Sequence, residues 1–297
     1  MAGLLDDPGT SAFPQSLSPS RSNDFLTCPL MYRLRSIDRI PQEPSVAALR
    51  GTLVHRALEL LFDLASTERT EVTAIQLMEQ AFVEMSAAEP ESGALLRADL
   101  GIDLLASAAD VASAVIRPAL PFLTGYFALE NPQWLEPYAR ECKVNVDIAD
   151  GFTIRGFIDR VDRAPSGDIR IVDYKSGRAP SPRFQDKAMF QMNFYALAWW
   201  RMTGVIPKRL QLMYLSSSSV LHYEPTAENL LTTEKQILSI RSAISEAAQV
   251  GVFTPTTSKL CDWCSYRALC PAWGGTTPPL PPRSGWNESS TRDGIKP

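Results

Sequence analysis

The feature that most constrains this chain is an abrupt change of hydrophobic period at Glu141. Before it, Leu53, Val54, Ala57, Leu58, Leu61 and Leu64 recur at helical spacing between Thr52 and Ala65, and further helices are expected at about 71–88 and 93–117. From Glu141 onward, in ECKVNVDI, Cys142, Val144, Val146 and Ile148 alternate strictly with polar residues, the mark of a strand with one buried face. Asp150-Gly151 then turns the chain into FTIRGFIDRVDR, and Ser166-Gly167 turns it into DIRIVDYKSG. A helix over about 183–203, a hairpin RLQLMYL-SSSS-VLHYEP, and a helix from an N-cap at Thr226 to a C-cap at Gly251 complete the pattern. The order predicts an α/β fold: a three-stranded antiparallel meander, a helix and returning strands, with a helical elaboration on the N-terminal side.

With 45% apolar and 21% charged residues, the 297-residue chain falls in the globular range and can bury a large core. No apolar run approaches the roughly 18 residues of a membrane span, and the acidic, Pro/Ser-rich start lacks the basic and apolar regions of a secretory signal. A cytoplasmic location with no membrane partner is expected. Residues 1–20 and 274–297 are rich in Pro, Gly, Ser and Thr and are expected to stay disordered, leaving 21–273 as one folded domain with a helical insertion at about 57–136. Ser22 reads as the cap of a short helix, NDFLTCPLMYRLR, that ends before Pro41 and Pro44.

Two consecutive strands carry Asp159 and Asp173-Tyr174-Lys175, and strand alternation puts Asp173 and Lys175 on one face. Paired carboxylates can hold Mg²⁺ or Mn²⁺, and a lysine beside the metal can orient or deprotonate an attacking water, which is chemistry for phosphodiester hydrolysis. An acid-x-Lys triplet arises about once by chance in a chain with 33 acidic residues, and Glu141-Cys142-Lys143 is a second copy. The Asp173 copy is preferred because it follows a buried run, ends in a Ser-Gly turn and has an acid on the preceding strand. His55 lies alone on the first long helix. Gln191 and Tyr195 are four residues apart on the helix after DYKSG, and so share a face.

Cys261, Cys264 and Cys270 form C-x2-C-x5-C, with Cys28 a fourth candidate far upstream, while Cys142 sits at a core-facing strand position. Two thiolates on a tight turn can reach one ion or cluster, and four would complete either a zinc site or an iron-sulfur cluster. Trp263, Tyr266 and Trp273 are candidates to shield it.

The set SNDFLTCPLMYRLR, GTLVHRALE, GFIDRVDR, IVDYKSG, QMNFY and C-x2-C-x5-C resembles the RecB-type exonucleases of the PD-(D/E)xK superfamily, in the iron-sulfur branch that includes the AddB nuclease domain. The resemblance implies a restriction-endonuclease-like core. It implies metal binding by His55, Asp159, Asp173 and the main-chain carbonyl of Tyr174. It implies catalytic roles for Asp159, Asp173 and Lys175, with Gln191 and Tyr195 near the DNA. Cys28, Cys261, Cys264 and Cys270 match the ligands of a structural 4Fe-4S cluster, and Glu141 is a loose match to a further upstream acid. The function implied is a metal-dependent DNA nuclease, directed to single strands or free ends, in repair or recombination. The alternative is a non-catalytic DNA-binding or scaffold subunit. No G-x4-G-K-[ST] loop occurs in the sequence, so any unwinding falls to a separate helicase partner.

The net charge of −4 weighs against nucleic acid only when taken whole. Residues 21–56 carry six Arg against three acids, and 151–187 carry eight Arg or Lys against five acids, +3 in each segment. A local basic groove around the site is therefore expected, with the acidic excess in 57–136.

Overall fold

The structure is a computed structural model that describes residues 15–42, 45–88, 100–102, 107–149, 151–181 and 186–281. These fall into two compact units, a division that no composition shift in the sequence signals. One comprises Met1–Gln42, Asn145–Gly156 and Glu228–Gly294, and the larger comprises Glu43–Val144 and Phe157–Ala227. Helices α1 to α8 are Pro19–Thr27, Pro29–Tyr32, Val46–Leu61, Glu71–Ala88, Ala108–Ile116, Leu120–Leu129, Asp186–Thr203 and Ala227–Val250. Strands β1 to β6 are Ser16–Leu17, Ala139–Ala149, Phe152–Arg163, Ile169–Lys175, Arg209–Tyr214 and Ser219–Tyr223.

The larger unit holds the start of β2, the end of β3 and all of β4 to β6, which carry the expected meander and crossover, while Asn145–Gly156 falls in the smaller unit. Strand β2 pairs with β3, and β3 runs antiparallel to β4 with Arg160 opposite Val172. Helix α7 then carries the chain over to β5, which lies parallel to β4 with Asp173 opposite Leu212, and β6 returns antiparallel to β5. The β4 and β5 side chains are buried almost continuously, as a central parallel pair covered on both faces requires.

Helices α3 to α6 pack Leu53, Leu58, Met78, Val115 and Leu123 against Val172, Tyr174 and Met213 of the strands. Truncating one of these fully buried leucines, Leu58→Ala for example, should cost about 2–5 kcal/mol. Helix α3 begins at Val46, six residues before the expected start. Ser45 accepts from Ala48 N at 3.4 Å, and the Arg50 guanidinium donates to Ala114 O and Val115 O at 3.0 and 3.1 Å, which fixes this extra turn. The expected helix at 93–117 lies partly outside the described residues, and its described part is α5. The run Ala108–Leu129 is long and apolar enough to cross a membrane by length and composition alone. It is broken by a 3-10 turn at Arg117–Ala119 and buries Val111, Val115, Ile116, Ala119, Leu123 and Tyr126 in the core.

In the smaller unit the packed region begins earlier than expected. Residues 16 and 17, assigned to a disordered segment, form β1, which pairs parallel with Thr153 and Ile154 of β3. Ser18 rather than Ser22 caps α1, accepting from Arg21 N at 3.3 Å, while Ser22 is buried inside the helix and donates to Ser18 O at 2.9 Å. The expected tail also packs at its start: Thr277 Oγ1 donates to Leu269 O at 3.0 Å, and Arg33 Nη2 donates to Pro278 O. Helix α8 follows Thr226, as the cap signal predicts, and buries Leu230, Ile237, Ile240 and Ile244 along one face. It stops before Gly251, whose φ of 75° is a left-handed exit that glycine adopts without strain.

Candidate active site

The site sits at the end of the β3–β4 ladder. Because Arg160 faces Val172, Asp159 is one residue further along, beside Asp173. The backbone N–H of Tyr174 donates to Asp159 Oδ2 at 2.7 Å, tying the two strands together through the carboxylate itself. His55 Nδ1 lies 3.4 Å from the same oxygen.

The G-x3-H spacing has a local cause. Gly51 and His55 are one turn apart on one face of α3. A Cβ at Gly51 would lie 3.2 Å from Ser176 Oγ, in the turn that follows β4, a tight contact that glycine avoids on the face that presents His55 to Asp159.

Ligand atoms of His55, Glu141 and Asp159 all lie within 4.8 Å of one another. One imidazole nitrogen and two carboxylates are a donor set suited to a hard divalent cation, so these residues fit a Mg²⁺ or Mn²⁺ ion. Glu141 adopts φ 42° within β2, a left-handed conformation that costs a non-glycine residue about 1–3 kcal/mol and that here accompanies its place in the cluster. Asp173 is held differently: Lys175 Nζ is 2.7 Å from its Oδ2, and Gln191 Nε2 donates to its Oδ1 at 2.8 Å. Lys175 Nζ also donates to Gln191 Oε1 at 2.9 Å, closing a triangle. Asp173 Oδ2 is buried and has no directed hydrogen bond, which leaves a lone pair available to a cation. Tyr195, one helical turn from Gln191, is also buried.

The charges are strongly coupled. Burial raises the Asp173 carboxyl to about 6 and the adjacent Asp159 charge adds to this, although Lys175 opposes it. Burial, then Asp159 and Glu59, raise Glu141 to about 7. Burial would depress His55, but the Asp159 carboxylate outweighs it and raises the imidazole to about 9. Burial works against Asp159 too, yet His55, the Tyr174 N–H and Lys175 hold it below the usual carboxylate range. Burial and the nearby Asp173 and Asp159 charges push the Tyr195 hydroxyl up, so it stays protonated.

Behind the site, Arg160 is 1% exposed and ion-pairs with Glu130 and with Asp162 at 3.0 Å, while its Nη1 donates to Tyr174 Oη at 2.8 Å. The Tyr174 ring also packs edge-on against His55 at 5.8 Å. The residues next to both strand carboxylates are thus locked from the core side.

All seven expected residues of the nuclease site lie in the larger unit, linked as above. Glu141, the acid of the triplet set aside in favour of Asp173, joins His55 and Asp159, while Asp173 stands with Lys175 and Gln191. The expected positive charge is smaller than the segment sums imply, because Arg56 and Arg160 pair with Glu59 and Glu130, acids that lie outside the two summed segments.

The cysteines lie in the smaller unit. Cys28, Cys264 and Cys270 pack around Leu30, Leu34 and Tyr266, and Tyr266 Oη donates to Ile40 O at 3.0 Å, joining the two segments. Cys28 Sγ accepts from Thr256 N at 3.4 Å and Cys261 Sγ from Ser258 N at 3.3 Å. Among the described residues no three cysteine sulfurs gather within the distance that unites His55, Glu141 and Asp159, so the thiols do not form a preassembled ion site. Of the expected shielding aromatics only Tyr266 is buried; Trp263 is 88% and Trp273 46% exposed. Cys142 is half-buried on β2.

The family model described as "PD-(D/E)XK nuclease superfamily" matches residues 16–271. Two curated relatives, each called "Gene 69 protein", come from Mycobacterium phages L5 and D29. They are 24% identical over 295 residues and 23% identical over 283, and each alignment covers 86% of this chain and 96% of the relative. A solved structure from Eubacterium rectale, named "Putative exonuclease", matches with a TM-score of 0.51 at 15% identity, covering 90% of this chain and 94% of that one, a likeness of fold.

Proposed function

The chain belongs to the PD-(D/E)XK nuclease superfamily, and on that premise we propose that it hydrolyses phosphodiester bonds of DNA, acting from free ends on single-stranded or tailed substrates. The observation that carries the reading is the pairing of a nitrogen-oxygen donor group, His55, Glu141 and Asp159, with the Asp173, Lys175 and Gln191 triangle on neighbouring strands. A Mg²⁺ or Mn²⁺ ion held by His55, Glu141, Asp159 and Asp173, with the Tyr174 carbonyl, would lower the pKa of a bound water and stabilise charge on the phosphoryl oxygens and the leaving oxygen.

The chain's own groups supply the rest. Lys175 keeps its proton beside Asp173, so its ammonium orients the attacking water and meets developing negative charge rather than acting as a base. Gln191 holds Lys175 and Asp173 in register, and Tyr195 supports Gln191 from the next turn of α7. The Tyr174 N–H fixes one oxygen of Asp159 and leaves the other for coordination.

The four cysteines Cys28, Cys261, Cys264 and Cys270 are assigned to a 4Fe-4S cluster that joins the two ends of the chain in a structural role. Support comes from their donor type, their common unit, and the backbone N–H groups donated to Cys28 and Cys261. Stoichiometric zinc without iron or sulfide in anaerobically purified protein would sink this assignment. The physiological setting consistent with a nuclease lacking a phosphate loop is DNA repair or recombination beside a separate helicase.

The test is cleavage of linear single-stranded, duplex, tailed and sealed circular DNA with Mg²⁺ or Mn²⁺, comparing wild type with Asp173→Ala. Degradation of linear but not circular single strands, lost in the variant, is expected; equal activity of the variant overturns the reading.

A further inference from the structure

A second polar feature of the larger unit lies at the opposite end of β4. A cleft of about 380 Å³ there is lined by Trp134, Asp162, Arg163, Arg170, Lys208 and Arg209, among others. Trp134 is 84% exposed, although tryptophan is highly buried on average. Its exposure is not looseness. The nearly buried Arg69 donates to Leu64 O at 3.0 Å and to Leu135 O at 2.6 Å, and pairs with Glu136 at 3.0 Å. Asn131 Oδ1 accepts from Gln133 N at 2.9 Å. These bonds fix the turn Pro132–Trp134 and hold the indole outward.

Beside it the Arg163 guanidinium lies 4.4 Å over the ring of Tyr138, itself 52% exposed. The acids of the cleft are already engaged: Asp162 by Arg160 and Arg170, Glu136 by Arg69, and Asp168 by Ser166. Lys208 and Arg209 stand 4.0 and 3.7 Å from Glu224, beyond hydrogen-bond contact.

A rigid exposed aromatic face next to guanidinium and ammonium groups is the chemistry of base stacking with phosphate neutralisation. We propose that this cleft is a docking subsite for a nucleotide of single-stranded DNA, held by stacking on Trp134 with its phosphate met by Arg163, Lys208 and Arg209. Stacking on a preorganised ring costs little ordering entropy. The role as a strand-tracking subsite rests on the nuclease reading. The six steps from Ile169 to Lys175 span about 20 Å at the strand rise, which is about six nucleotides when the strand keeps the 3.4 Å rise of stacked bases. Short oligomers therefore reach either the subsite or the catalytic carboxylates, and longer ones reach both.

The experiment is equilibrium binding of labelled dT4 and dT12 to the full chain at low salt without divalent cation, so that hydrolysis cannot intervene. Trp134→Ala should weaken dT12 binding about fivefold to a hundredfold, abolish most of the advantage of dT12 over dT4, and leave the thermal midpoint unchanged. Trp134→Phe should restore most of the affinity. Lys208→Gln with Arg209→Gln should flatten the salt dependence by about one to two units of slope. If Trp134→Ala binds dT12 as tightly as wild type, the subsite is refuted and the surface is one for a protein instead. Hydrolysis is measured separately: a wild type that cleaves DNA while Trp134→Ala binds normally sinks the subsite alone. Binding through Trp134 by a wild type that cleaves nothing sinks the hydrolytic reading alone.

Discussion

In the larger unit, Lys175 and Gln191 bracket Asp173 at 2.7–2.9 Å, whereas in the smaller unit three half-buried cysteines, Cys28, Cys264 and Cys270, share an apolar cluster without drawing their sulfurs together. The carboxylate site carries its own counter-charges. An ammonium, an imidazole and a backbone N–H neutralise the acids in place, so the arrangement needs no cation to form. The cysteines have thinner support: Cys28 and Cys261 each accept one backbone N–H, from Thr256 and Ser258. If four thiolates were gathered there, as the proposed cluster assignment requires, the like charge would have to be offset by the ion or cluster itself, so the sulfur geometry would follow binding. Perturbing the first site should therefore remove chemistry and spare the fold, and perturbing the second should do the reverse.

The largest expected effect tests that contrast directly. Asp159→Ala lowers turnover at least about a thousandfold while its far-ultraviolet circular dichroism stays native. On the proposed cluster assignment, Cys264→Ser instead lowers the thermal midpoint and the iron content of anaerobically purified protein. A cysteine variant with native stability and iron content, or an Asp159→Ala protein that cannot fold, breaks the comparison.

Next comes Arg160→Met, which removes the ion-pair partner of Glu130 and leaves Asp162 to Arg170 alone. Leaving buried charges without a partner costs about 3–5 kcal/mol, visible as a lower denaturant midpoint with an unchanged slope.

Glu141→Gln is a smaller step. It removes one charged donor and should weaken Mn²⁺ binding about 10- to 100-fold by calorimetry, in the range seen when groups around a metal are altered; unchanged affinity would remove Glu141 from the donor group.

The pH dependence sharpens the same point. In metal-free protein Asp173, Glu141 and His55 hold protons up to about 6, 7 and 9. Each binds its proton more tightly in the folded state than in the unfolded chain. The stability they contribute is thus full below their unfolded values and is lost as pH rises through these points. The depressed Asp159 titrates below this window. The metal-free thermal midpoint should fall between pH 6 and 9, and the rise on adding Mg²⁺ should be larger at pH 9 than at pH 6, because fewer protons compete. Equal Mg²⁺ shifts at both pH values would contradict the coupling.

The smallest effect is expected at Cys142→Ser, within about 1 kcal/mol of wild type and with unaltered iron, separating the fifth cysteine from the four.

Much of this was legible in the residues. Period two after Glu141, the Gly151 and Gly167 turns and the Thr226 cap located the strands of the meander and α8, because one buried face or one cap leaves a local signature. Gly51 and His55 share a face of their helix, and the close approach of Ser176 to Gly51 is visible only in the structure. What escaped depended on distant partners. Strand β1 is two residues long in a Pro/Ser-rich stretch and exists through its pairing with Thr153 and Ile154. Glu141 was set aside because it begins its strand, and its left-handed backbone, which accompanies its place beside Asp159, has no sequence period. Arg160 enters the segment sum as one more cation, yet Glu130 and Tyr174 from other elements, with Asp162 of its own strand, make it one of the most buried side chains. The segment charge sums missed partners outside the summed stretches: Glu59 and Glu130 pair with Arg56 and Arg160.

The central claim, that the Asp173, Lys175 and Gln191 triangle beside the His55, Glu141 and Asp159 donors is a hydrolytic centre, is tested most directly by single-turnover cleavage of end-labelled single-stranded DNA by Lys175→Ala. The account predicts DNA binding and Mn²⁺ affinity close to wild type with cleavage slowed at least about a hundredfold. A Lys175→Ala protein that digests the substrate at the wild-type rate would contradict it.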